Sequence, residues 1–313
     1  MKLDQDIKLN KIYKGDAYAM LKLVDSESVD ISISSPPYYK EREYTYDNEI
    51  GQESTLDRYI ERLSIIYSEV LRTLTDRGNL FIVICDVKDK GSLQNVPSKL
   101  IEAIRKYQPQ SIFQQMIIWE KPNPPPMNYV SKWVDNYEFV IWLSKSPNFF
   151  FQPQYEPYET DITKLSRDIK FGGNKSKFVD LPRYSGKKWV PNPLGRLQRS
   201  VWKIAKSSID TNHPAVYPEE LVTRILNAAV PALVCGSCDR PFYYTLKMEK
   251  GKQVSIENRC EHQVFRKPIL LDPFMGSGTS AIAAIKRCCD YIGFEYNPNY
   301  VKEANRRINQ IFK

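Results

Sequence analysis

The amino-acid sequence predicts an α/β fold in which helices cover both faces of one sheet. Short apolar, β-branched segments alternate along the chain with segments whose apolar residues follow helical spacing. One segment, Leu80–Ile84, is continuously apolar, as is typical of a strand buried on both faces. Two other strands run directly into turns rich in proline or glycine, at 34–38 and 272–279. Open α/β sheets bind ligands at such strand ends, so these turns are the candidate functional segments.

Composition and charge limit the class of protein before any motif is considered. The chain has 313 residues, 42% of them hydrophobic and 26% charged, which is ordinary for a globular protein with a sizeable core. Its apolar runs are too short to span a membrane and no apolar leader follows Met1, so a cytoplasmic protein is expected. A formal net charge of +8 suits a polyanionic partner. Six cysteines in so long a chain do not form a disulfide scaffold.

The first half of the chain contains most of the predicted sheet. Strands are predicted where short β-branched or aromatic runs end in turn residues, and helices where apolar residues recur every three or four positions. Gly78 is expected to end the second helix, and the polar, aromatic residues 39–50 are expected to form a loop beside the second strand. The predicted strands are 11–13, 29–33, 80–84, 112–119 and 137–143, and the predicted helices are 17–23, 56–74 and 97–107.

The second half interrupts this alternation and then resumes it. Residues 164–199 contain ten Lys or Arg and two Asp, so 151–200 is predicted to be an insertion, either a solvated surface or a surface for a polyanion. A helix at 219–229 follows Pro218 and has two glutamates in its first turn, which favours a helix start. The remaining predicted strands are 201–204, 269–271 and 291–294, and the last predicted helix is 280–285.

The first candidate turn is Ser34-Ser35-Pro36-Pro37-Tyr38, which follows the strand 29–33. Its two prolines stop the strand and stiffen the backbone, because each fixes φ and removes an N–H donor. A hydroxyl and an aromatic ring are thereby held at the carboxyl end of a strand. Taken alone, the segment is equally consistent with a strand-terminating turn.

The second candidate turn reads Asp272-Pro273-Phe274-Met275-Gly276-Ser277-Gly278-Thr279. A strand, a glycine turn and a helix N-terminus in succession let a cofactor approach the backbone closely. Glu295, nineteen residues after Gly276 and at the end of the next strand, can accept hydrogen bonds from both hydroxyls of a ribose. The Asp272 carboxylate would repel a pyrophosphate, whereas it suits the cationic amino-acid end of S-adenosylmethionine.

These two turns, with His213-Pro214-Ala215-Val216-Tyr217-Pro218 between them, resemble the motifs of the β group of DNA amino-methyltransferases. That group places its catalytic motif before its cofactor motif, as this chain does. The resemblance covers most of residues 9–230 and 268–305, and it implies a Rossmann-like S-adenosylmethionine-dependent methyltransferase fold with circularly permuted motif order. It also implies a catalytic domain formed by 1–150 and 201–313, with 151–200 as a target-recognition insertion.

The resemblance implies a role for each matching residue. The residues that would hold the target base are Ser35, Pro36, Pro37 and Tyr38. Those that would bind S-adenosylmethionine are Asp16, His213, Pro214, Asp272, Phe274, Gly276, Ser277, Gly278, Thr279 and Glu295, with Glu295 on the ribose and Asp16 near the adenine. Double-stranded DNA would be contacted by cations beside the first turn and in the insertion, namely Lys40, Arg42, Lys175, Lys177, Arg183, Lys187, Lys188 and Arg196.

The residue types in the first turn fit amino-group methylation. An exocyclic amino nitrogen is a poor nucleophile because its lone pair is delocalised into the ring. Hydrogen bonds to Ser35 Oγ and the Pro36 carbonyl would orient it and localise that lone pair, while Tyr38 would stack on a base flipped out of the duplex.

The identity of the base rests on the residue at position 35. Adenine enzymes of this family more often carry Asp or Asn there, so cytosine N4 is the expected acceptor and adenine N6 the alternative. A nucleic-acid-binding module without catalysis is disfavoured because both motifs are intact. The sequence leaves open whether a cognate restriction endonuclease accompanies the protein, and whether it is a monomer or a homodimer.

A separate cluster of cysteines lies in the segment 235–262. Cys235-Gly-Ser-Cys238 is followed by Cys260-Glu-His262, which contains one of only two histidines in the chain. Together they supply the ligands of a tetrahedral, structural Zn²⁺ site in a zinc-ribbon-like insertion. The spacing of the second pair is tighter than usual, so a ribbon that no longer binds metal and ordinary surface thiols are the alternatives.

Overall fold

The computed structural model describes residues 6–41, 49–124, 132–159, 191–206, 217–249 and 252–312. The chain divides into two compact units. The larger comprises Met1–Gln152, Ser200–Thr245 and Ser255–Lys313, and the smaller comprises Pro153–Arg199 and Leu246–Val254. Among the described helices, none combines the length and the apolar character that crossing a membrane requires.

The predicted alternation of strands and helices is confirmed, with most element ends shifted by one or two residues. The helices are α1 (Ala17–Leu21), α2 (Leu56–Thr73), α3 (Val96–Tyr107), α4 (Glu219–Ala229), α5 (Thr279–Lys286) and α6 (Pro298–Ile311). The first eight strands are β1 (Lys11–Lys14), β2 (Val29–Ser34), β3 (Leu74–Ile84), β4 (Lys88–Asp89), β5 (Ser92–Leu93), β6 (Ile112–Glu120), β7 (Tyr137–Ser144) and β8 (Tyr155–Glu156). The others are β9 (Arg196–Leu197), β10 (Val201–Lys203), β11 (Leu233–Cys235), β12 (Pro241–Glu249), β13 (Lys252–Asn258), β14 (Phe265–Arg266), β15 (Ile269–Asp272) and β16 (Asp290–Glu295).

The larger unit is built on a sheet of eight strands in the order β1-β16-β15-β2-β3-β7-β6-β10. Neighbouring strands are parallel except for β7, which runs antiparallel to both β3 and β6. The sheet is therefore mixed, with one reversed strand in an otherwise parallel arrangement.

The core lies on both faces of this sheet, because successive residues of a strand point to opposite sides. In β3, Phe81 and Val83 pack on one face with α4, α5 and α6. Leu80, Ile82 and Ile84 pack on the other face with α1, α2 and α3. The predicted covering of both faces by helices is confirmed.

The pairing of β2 with β15 joins the two candidate turns. The strands are parallel, with Ile31 opposite Leu270 and Ser32 opposite Leu271. Since both strands run in the same direction, their carboxyl ends lie side by side at one edge of the sheet. The turns that follow them, far apart in the chain, therefore start next to each other.

The amino ends of the same two strands are joined by Asp30. Its carboxylate accepts two hydrogen bonds from the Arg266 guanidinium, at 2.6 and 3.0 Å, and one from the Ile269 backbone N–H at 2.8 Å. Arg266 belongs to β14, Asp30 to β2 and Ile269 to β15. One buried carboxylate thus ties three strands together, in the paired form that burial of a charge requires.

Gly78 does not end a helix, contrary to the sequence-based expectation. Helix α2 ends at Thr73 and the chain continues directly into β3. Gly78 lies where the register between β2 and β3 shifts. A side chain there would come within 2.8 Å of Leu74 Cβ, so the glycine admits a bulge at the start of the strand.

A second sheet, in the order β13-β12-β11-β14, occupies the segment that contains the cysteine cluster. Its strands were not predicted, although apolar and polar residues alternate along 242–249 and 253–257 as they do in half-exposed strands. The described part of the smaller unit contains the antiparallel pair β8 and β9, with Glu156 opposite Arg196.

Candidate active site

Four neighbouring strands deliver the predicted site residues to one edge of the main sheet. In sheet order, Asp16 follows β1, Glu295 ends β16, Asp272 ends β15, and Ser35 follows β2. Asp16 is also the N-cap of α1, where its carboxylate accepts from the Ala19 backbone N–H at 3.0 Å. The carboxyl edge of these parallel strands thus brings together residues from both ends of the chain.

The Ser34–Tyr38 turn is held in place by helix α2. Ser34 Oγ and the Tyr67 hydroxyl lie 3.1 Å apart, and the Tyr59 hydroxyl donates to the Pro37 carbonyl at 2.8 Å. Both tyrosines are fully buried. Because a hydrogen bond made in a buried setting fixes its partners closely, α2 determines where the proline backbone and Ser35 lie.

Gly51 packs against the same turn from the other side. Its φ is +97°, and a Cβ at this position would lie 2.8 Å from the Tyr38 carbonyl oxygen. The Gly51 carbonyl accepts from the Lys40 backbone N–H at 2.8 Å. Only glycine meets both requirements without strain, because it combines a left-handed backbone with a close approach of two chain segments.

A chain of polar contacts leads from Ser35 into the protein. The Ser35 hydroxyl donates to the Tyr38 hydroxyl at 3.3 Å, which in turn donates to Glu138 Oε2 at 2.7 Å. Glu138 also forms an ion pair with Lys121. Burial, together with the Glu138 carboxylate, raises the pKa of Tyr38 well above its usual value, so the phenol stays protonated and remains a donor. The sequence motifs gave no indication of Glu138 or Lys121.

Asp272 is fully buried at the start of residues 272–279, the glycine turn. Its carboxylate accepts from the Phe274 backbone N–H at 2.9 Å, from the Tyr217 hydroxyl at 3.1 Å and from the Ser280 hydroxyl. Burial raises the pKa of this carboxyl to about 6. In this structure Asp272 joins the turn to α5 and to Tyr217, the described end of the segment 213–218.

Glu295 closes the glycine turn from the next strand. One oxygen accepts from the Gly276 backbone N–H at 2.8 Å and the other from the Asn297 backbone N–H at 2.7 Å. Burial raises the pKa of Glu295 to about 7. The backbone N–H of Tyr296 also contributes to stabilising the ionised carboxylate, which offers about four acceptor positions in all.

Glycine is required at position 278 of this turn. Its φ is +85°, and a Cβ there would lie 2.9 Å from the Cβ of Ala304 on α6. Gly278 is also the N-cap of α5, so the turn and the helix N-terminus share one tightly packed position.

Arg307 is a site residue that the motifs did not reveal. From α6 its guanidinium donates to the Ser277 carbonyl at 2.6 Å, to Ser277 Oγ at 2.7 Å and to Thr279 Oγ1 at 3.3 Å. A signal was present in the sequence, since a charged residue occurs on the helix face that also carries the buried Ala304 and Ile308. A charge on an apolar stripe needs a partner, and here the partner is the glycine turn.

The predicted DNA-contacting residues fall partly within the described structure. Lys40 is exposed, and its ammonium donates to the Gln52 carbonyl at 3.1 Å. Arg196 forms ion pairs with Glu156 at 2.8 Å and Glu159 at 2.6 Å, so its charge is compensated. The other predicted contacts lie outside the described residues, as do two of the predicted cofactor-binding residues; these are Arg42, Lys175, Lys177, Arg183, Lys187, Lys188, His213 and Pro214.

The four predicted metal ligands lie together. One ligand atom from each of Cys235, Cys238, Cys260 and His262 falls within 4.8 Å of all the others. Ligand atoms arranged tetrahedrally around Zn²⁺, at about 2.3 Å for sulfur, stand about 3.8 Å apart, so the donor set fits this ion. Cys235 Sγ also accepts from the Ser237 backbone N–H at 3.3 Å, within the C-x-x-C turn.

Comparison with known proteins identifies the class to which this fold and site belong. The N6/N4 methylase family model, described as DNA methylase, matches residues 29–306. The chain therefore belongs to this family of DNA amino-methyltransferases.

Individual relatives extend over nearly the whole chain. Type II methyltransferase M.Cfr9I of Citrobacter freundii is 24% identical over 325 residues, which cover 95% of this chain and 87% of the relative. Type II methyltransferase M1.MboII of Moraxella bovis is 26% identical over 318 residues, which cover 97% of this chain and 98% of the relative.

Solved structures share the fold. The cytosine-N4-specific PvuII DNA methyltransferase matches with a TM-score of 0.61 at 16% identity, covering 97% of this chain and 95% of that one. A complex of M1.HpyAVI with SAM matches with a TM-score of 0.52 at 16% identity, covering 96% and 99%. The Rossmann-like methyltransferase fold expected from the sequence is confirmed.

We expect Arg307→Ala to lower the free energy of unfolding by about 2–4 kcal/mol, because it removes a buried guanidinium and leaves the Ser277 carbonyl without its donor. Urea denaturation measures this change. The matched control is Arg306→Ala on the same helix, where the side chain is exposed and paired with Glu303, and the expected change is within about 0.5 kcal/mol. Equal effects of the two substitutions would contradict the assigned role.

Proposed function

We propose that the protein transfers a methyl group from S-adenosyl-L-methionine to the exocyclic N4 of a cytosine in double-stranded DNA. The observation that carries the proposal is the parallel pairing of β2 with β15, which sets the Ser34–Tyr38 turn beside the glycine turn. A two-substrate reaction requires its two binding elements to be adjacent, and this pairing makes them so.

The residues of the glycine turn fit the methyl donor. Gly276 and Gly278 both have positive φ, so the turn takes a tight shape that glycine adopts most readily, and the Glu295 carboxylate would accept from ribose hydroxyls. The Phe274 ring lies 6.2 Å from the buried Tyr67 ring, centroid to centroid, so the glycine turn packs against the helix that holds the Ser34–Tyr38 turn. Asp16 lies on the far side of Glu295, because β1 pairs with β16.

The chemistry requires positioning more than covalent participation. The amino nitrogen forms a bond to the sulfonium methyl carbon while the carbon–sulfur bond breaks and its electron pair passes to sulfur. The nitrogen then releases one proton to solvent. Ser35 Oγ and the Pro36 carbonyl would accept the two amino N–H groups and so direct the lone pair toward the methyl group. Tyr38 would stack on the flipped base.

The choice of cytosine N4 rests on Ser35. A neutral hydroxyl is a weaker acceptor than the carboxylate or amide that adenine enzymes of the family more often carry at this position. Adenine N6 is the second candidate within the same fold, and product analysis separates the two.

The relatives point to a biological setting. Those described above are named Type II methyltransferases, so we propose that this enzyme is the methylating partner of a cognate restriction endonuclease. The basic segment 151–200 would serve as the target-recognition region, with phosphate contacts that weaken as salt concentration rises.

The main test is incubation with labelled S-adenosylmethionine and mixed-sequence duplex DNA, followed by mass spectrometry of the nucleosides. N4-methyldeoxycytidine is the expected product. N6-methyldeoxyadenosine would overturn the choice of base, and the absence of any methylated nucleoside would overturn the function. Ser35→Ala should lower kcat by about 100-fold or more while cofactor affinity stays unchanged. The control, Ser54→Ala, changes an exposed serine and should keep full activity.

Glu295 should make cofactor binding depend on pH. Its pKa of about 7 in the free protein means that about half of the molecules carry a protonated carboxyl at neutral pH. Ribose hydroxyls favour the ionised form as an acceptor, so the affinity should rise as pH increases through this value and weaken by up to about tenfold per pH unit below it. Calorimetric titration at several pH values measures this trend. Glu295→Gln should bind weakly and lose the change in affinity near pH 7, whereas Asp272, with a pKa of about 6, still titrates at lower pH. A wild-type profile that is flat near pH 7 would contradict the role.

We propose that Cys235, Cys238, Cys260 and His262 bind a structural Zn²⁺. The site would join the end of β11 to the segment that follows β13, and so stabilise the small sheet. Because β14 of that sheet carries Arg266, the same site would support the Asp30 junction. The metal would take no part in the transfer reaction, since Cys235 pairs with the strand that contacts Asp30, at the opposite end of β2 from Ser35.

Purified protein should contain about one zinc per chain, released on chelation with a fall in melting temperature. Cys238→Ser and Cys260→Ser should lose the metal, whereas Cys288→Ser, which changes an exposed cysteine outside the cluster, should keep it. Metal analysis and thermal denaturation measure both effects. Metal-free protein with an unchanged melting temperature would refute the site.

A further inference from the structure

We infer that Glu138 and Lys121 are positioning residues that orient the Ser35 hydroxyl, so that its oxygen can only accept a hydrogen bond from the target amino group. The inference rests on the proposed function, because it describes how the acceptor of that site is set. Neither residue belongs to the turns from which the function was argued.

The reversed direction of β7 explains how Glu138 reaches the site. In the parallel strands the carboxyl ends lie at the site edge of the sheet. β7 runs antiparallel to its neighbours, so its first residues lie at this edge instead. Glu138 is the second residue of β7, opposite Trp119 of β6, and Lys121 follows the last residue of β6.

The donors and acceptors determine the direction of each hydrogen bond from Ser35 through Tyr38 to Glu138. Glu138, ion-paired with Lys121, is a carboxylate and can only accept. The Tyr38 hydroxyl has one proton and directs it to Glu138 Oε2 at 2.7 Å. The Tyr38 oxygen is then left as the acceptor for the single proton of Ser35, at 3.3 Å. Every proton is assigned, and Ser35 Oγ presents only lone pairs to a bound base.

This direction matters for a base with an exocyclic amino group. Beside that group in the ring stands a nitrogen that accepts hydrogen bonds. A freely rotating serine could donate to the ring nitrogen and leave the amino group unoriented. A serine whose proton is committed to Tyr38 can bind only the amino N–H, which is the contact that localises the nitrogen lone pair.

The burial of the ion pair supports a role beyond stability. The side chains of Lys121 and Glu138 are 12% and 15% exposed. Removing two charges from water costs free energy that their mutual attraction often only offsets, so a buried pair adds little net stability. A partly buried pair next to a reacting group instead supplies a fixed charge at short range.

The weakest hydrogen bond of the three groups joins Ser35 Oγ to the Tyr38 hydroxyl. Its length of 3.3 Å exceeds the roughly 2.8 Å optimum for two hydroxyls.

Two substitutions separate this role from base stacking. Tyr38→Phe keeps the ring and removes the hydroxyl, and Glu138→Gln keeps the shape and removes the charge. Each should lower kcat by about 10–100-fold, with the KM for DNA and the cofactor affinity within about twofold of wild type. Glu69→Gln is the control, because it removes a carboxylate from an ion pair with Arg72 on α2, and it should leave kcat unchanged.

The double variant provides the decisive measurement. If Tyr38 and Glu138 act through one series of hydrogen bonds, combining the substitutions should lower kcat no further than the larger single effect. Losses that multiply would overturn the inference, as would full activity of Tyr38→Phe. Melting temperatures of all variants identify any that fail to fold.

Base flipping gives a readout that is independent of turnover. With 2-aminopurine at the target position, Tyr38→Phe should retain the fluorescence increase of wild type, whereas Tyr38→Ala should lose it. A loss in Tyr38→Phe would assign the hydroxyl to base binding and overturn the inference. Failure of the wild-type protein to methylate DNA would refute the proposed function itself, whereas methylation with fully active variants would refute only this inference.

Discussion

The parallel pairing of β2 with β15 is the constraint on which the rest of the molecule depends. It aligns the carboxyl ends of two strands from opposite ends of the chain, and so brings the Ser34–Tyr38 turn next to the glycine turn. Strands β1 and β16 extend the same edge and add Asp16 and Glu295. The permuted order of the motifs therefore has no structural consequence at the site, because sheet order, and not chain order, determines which residues meet.

The polar groups at this edge are held by neighbours that belong to other elements. Asp272 is satisfied by Tyr217 and Ser280, and the Ser34–Tyr38 turn is satisfied by tyrosines of α2. Buried polar groups are costly unless each has a partner, and a fully satisfied network fixes its members rigidly. Such a network is suited to a reaction that requires two substrates to be placed accurately rather than a reactive nucleophile.

The sequence could predict features that depend on neighbouring residues, but not contacts between segments that lie far apart in the chain. Strand and helix periodicity depends on neighbouring residues, so the α/β alternation and the two strand-end turns were recognisable. The contacts of Glu138 and Arg307 depend on which strand is reversed and on how α6 packs, and periodicity does not encode either. Gly78 was assigned to a helix end because glycine is common there, whereas the structure uses it for a bulge. Strands β12 and β13 were not predicted, although the alternation of apolar and polar residues along 242–249 and 253–257 is a local signal for them.

The two ends of β2 make different contacts, and the Asp30 junction lies at its amino end. From Asp30 to Ser35 the strand spans about 16 Å at roughly 3.3 Å per residue, and both ends are held by neighbours of β2 in the sheet. The amino end contacts the small cysteine-containing sheet through Arg266, and the carboxyl end leads into the Ser34–Tyr38 turn. The strand therefore acts as a spacer of fixed length. A contact with the small sheet at one end of β2 is thereby separated, by the length of the strand, from the two turns that meet at the other end.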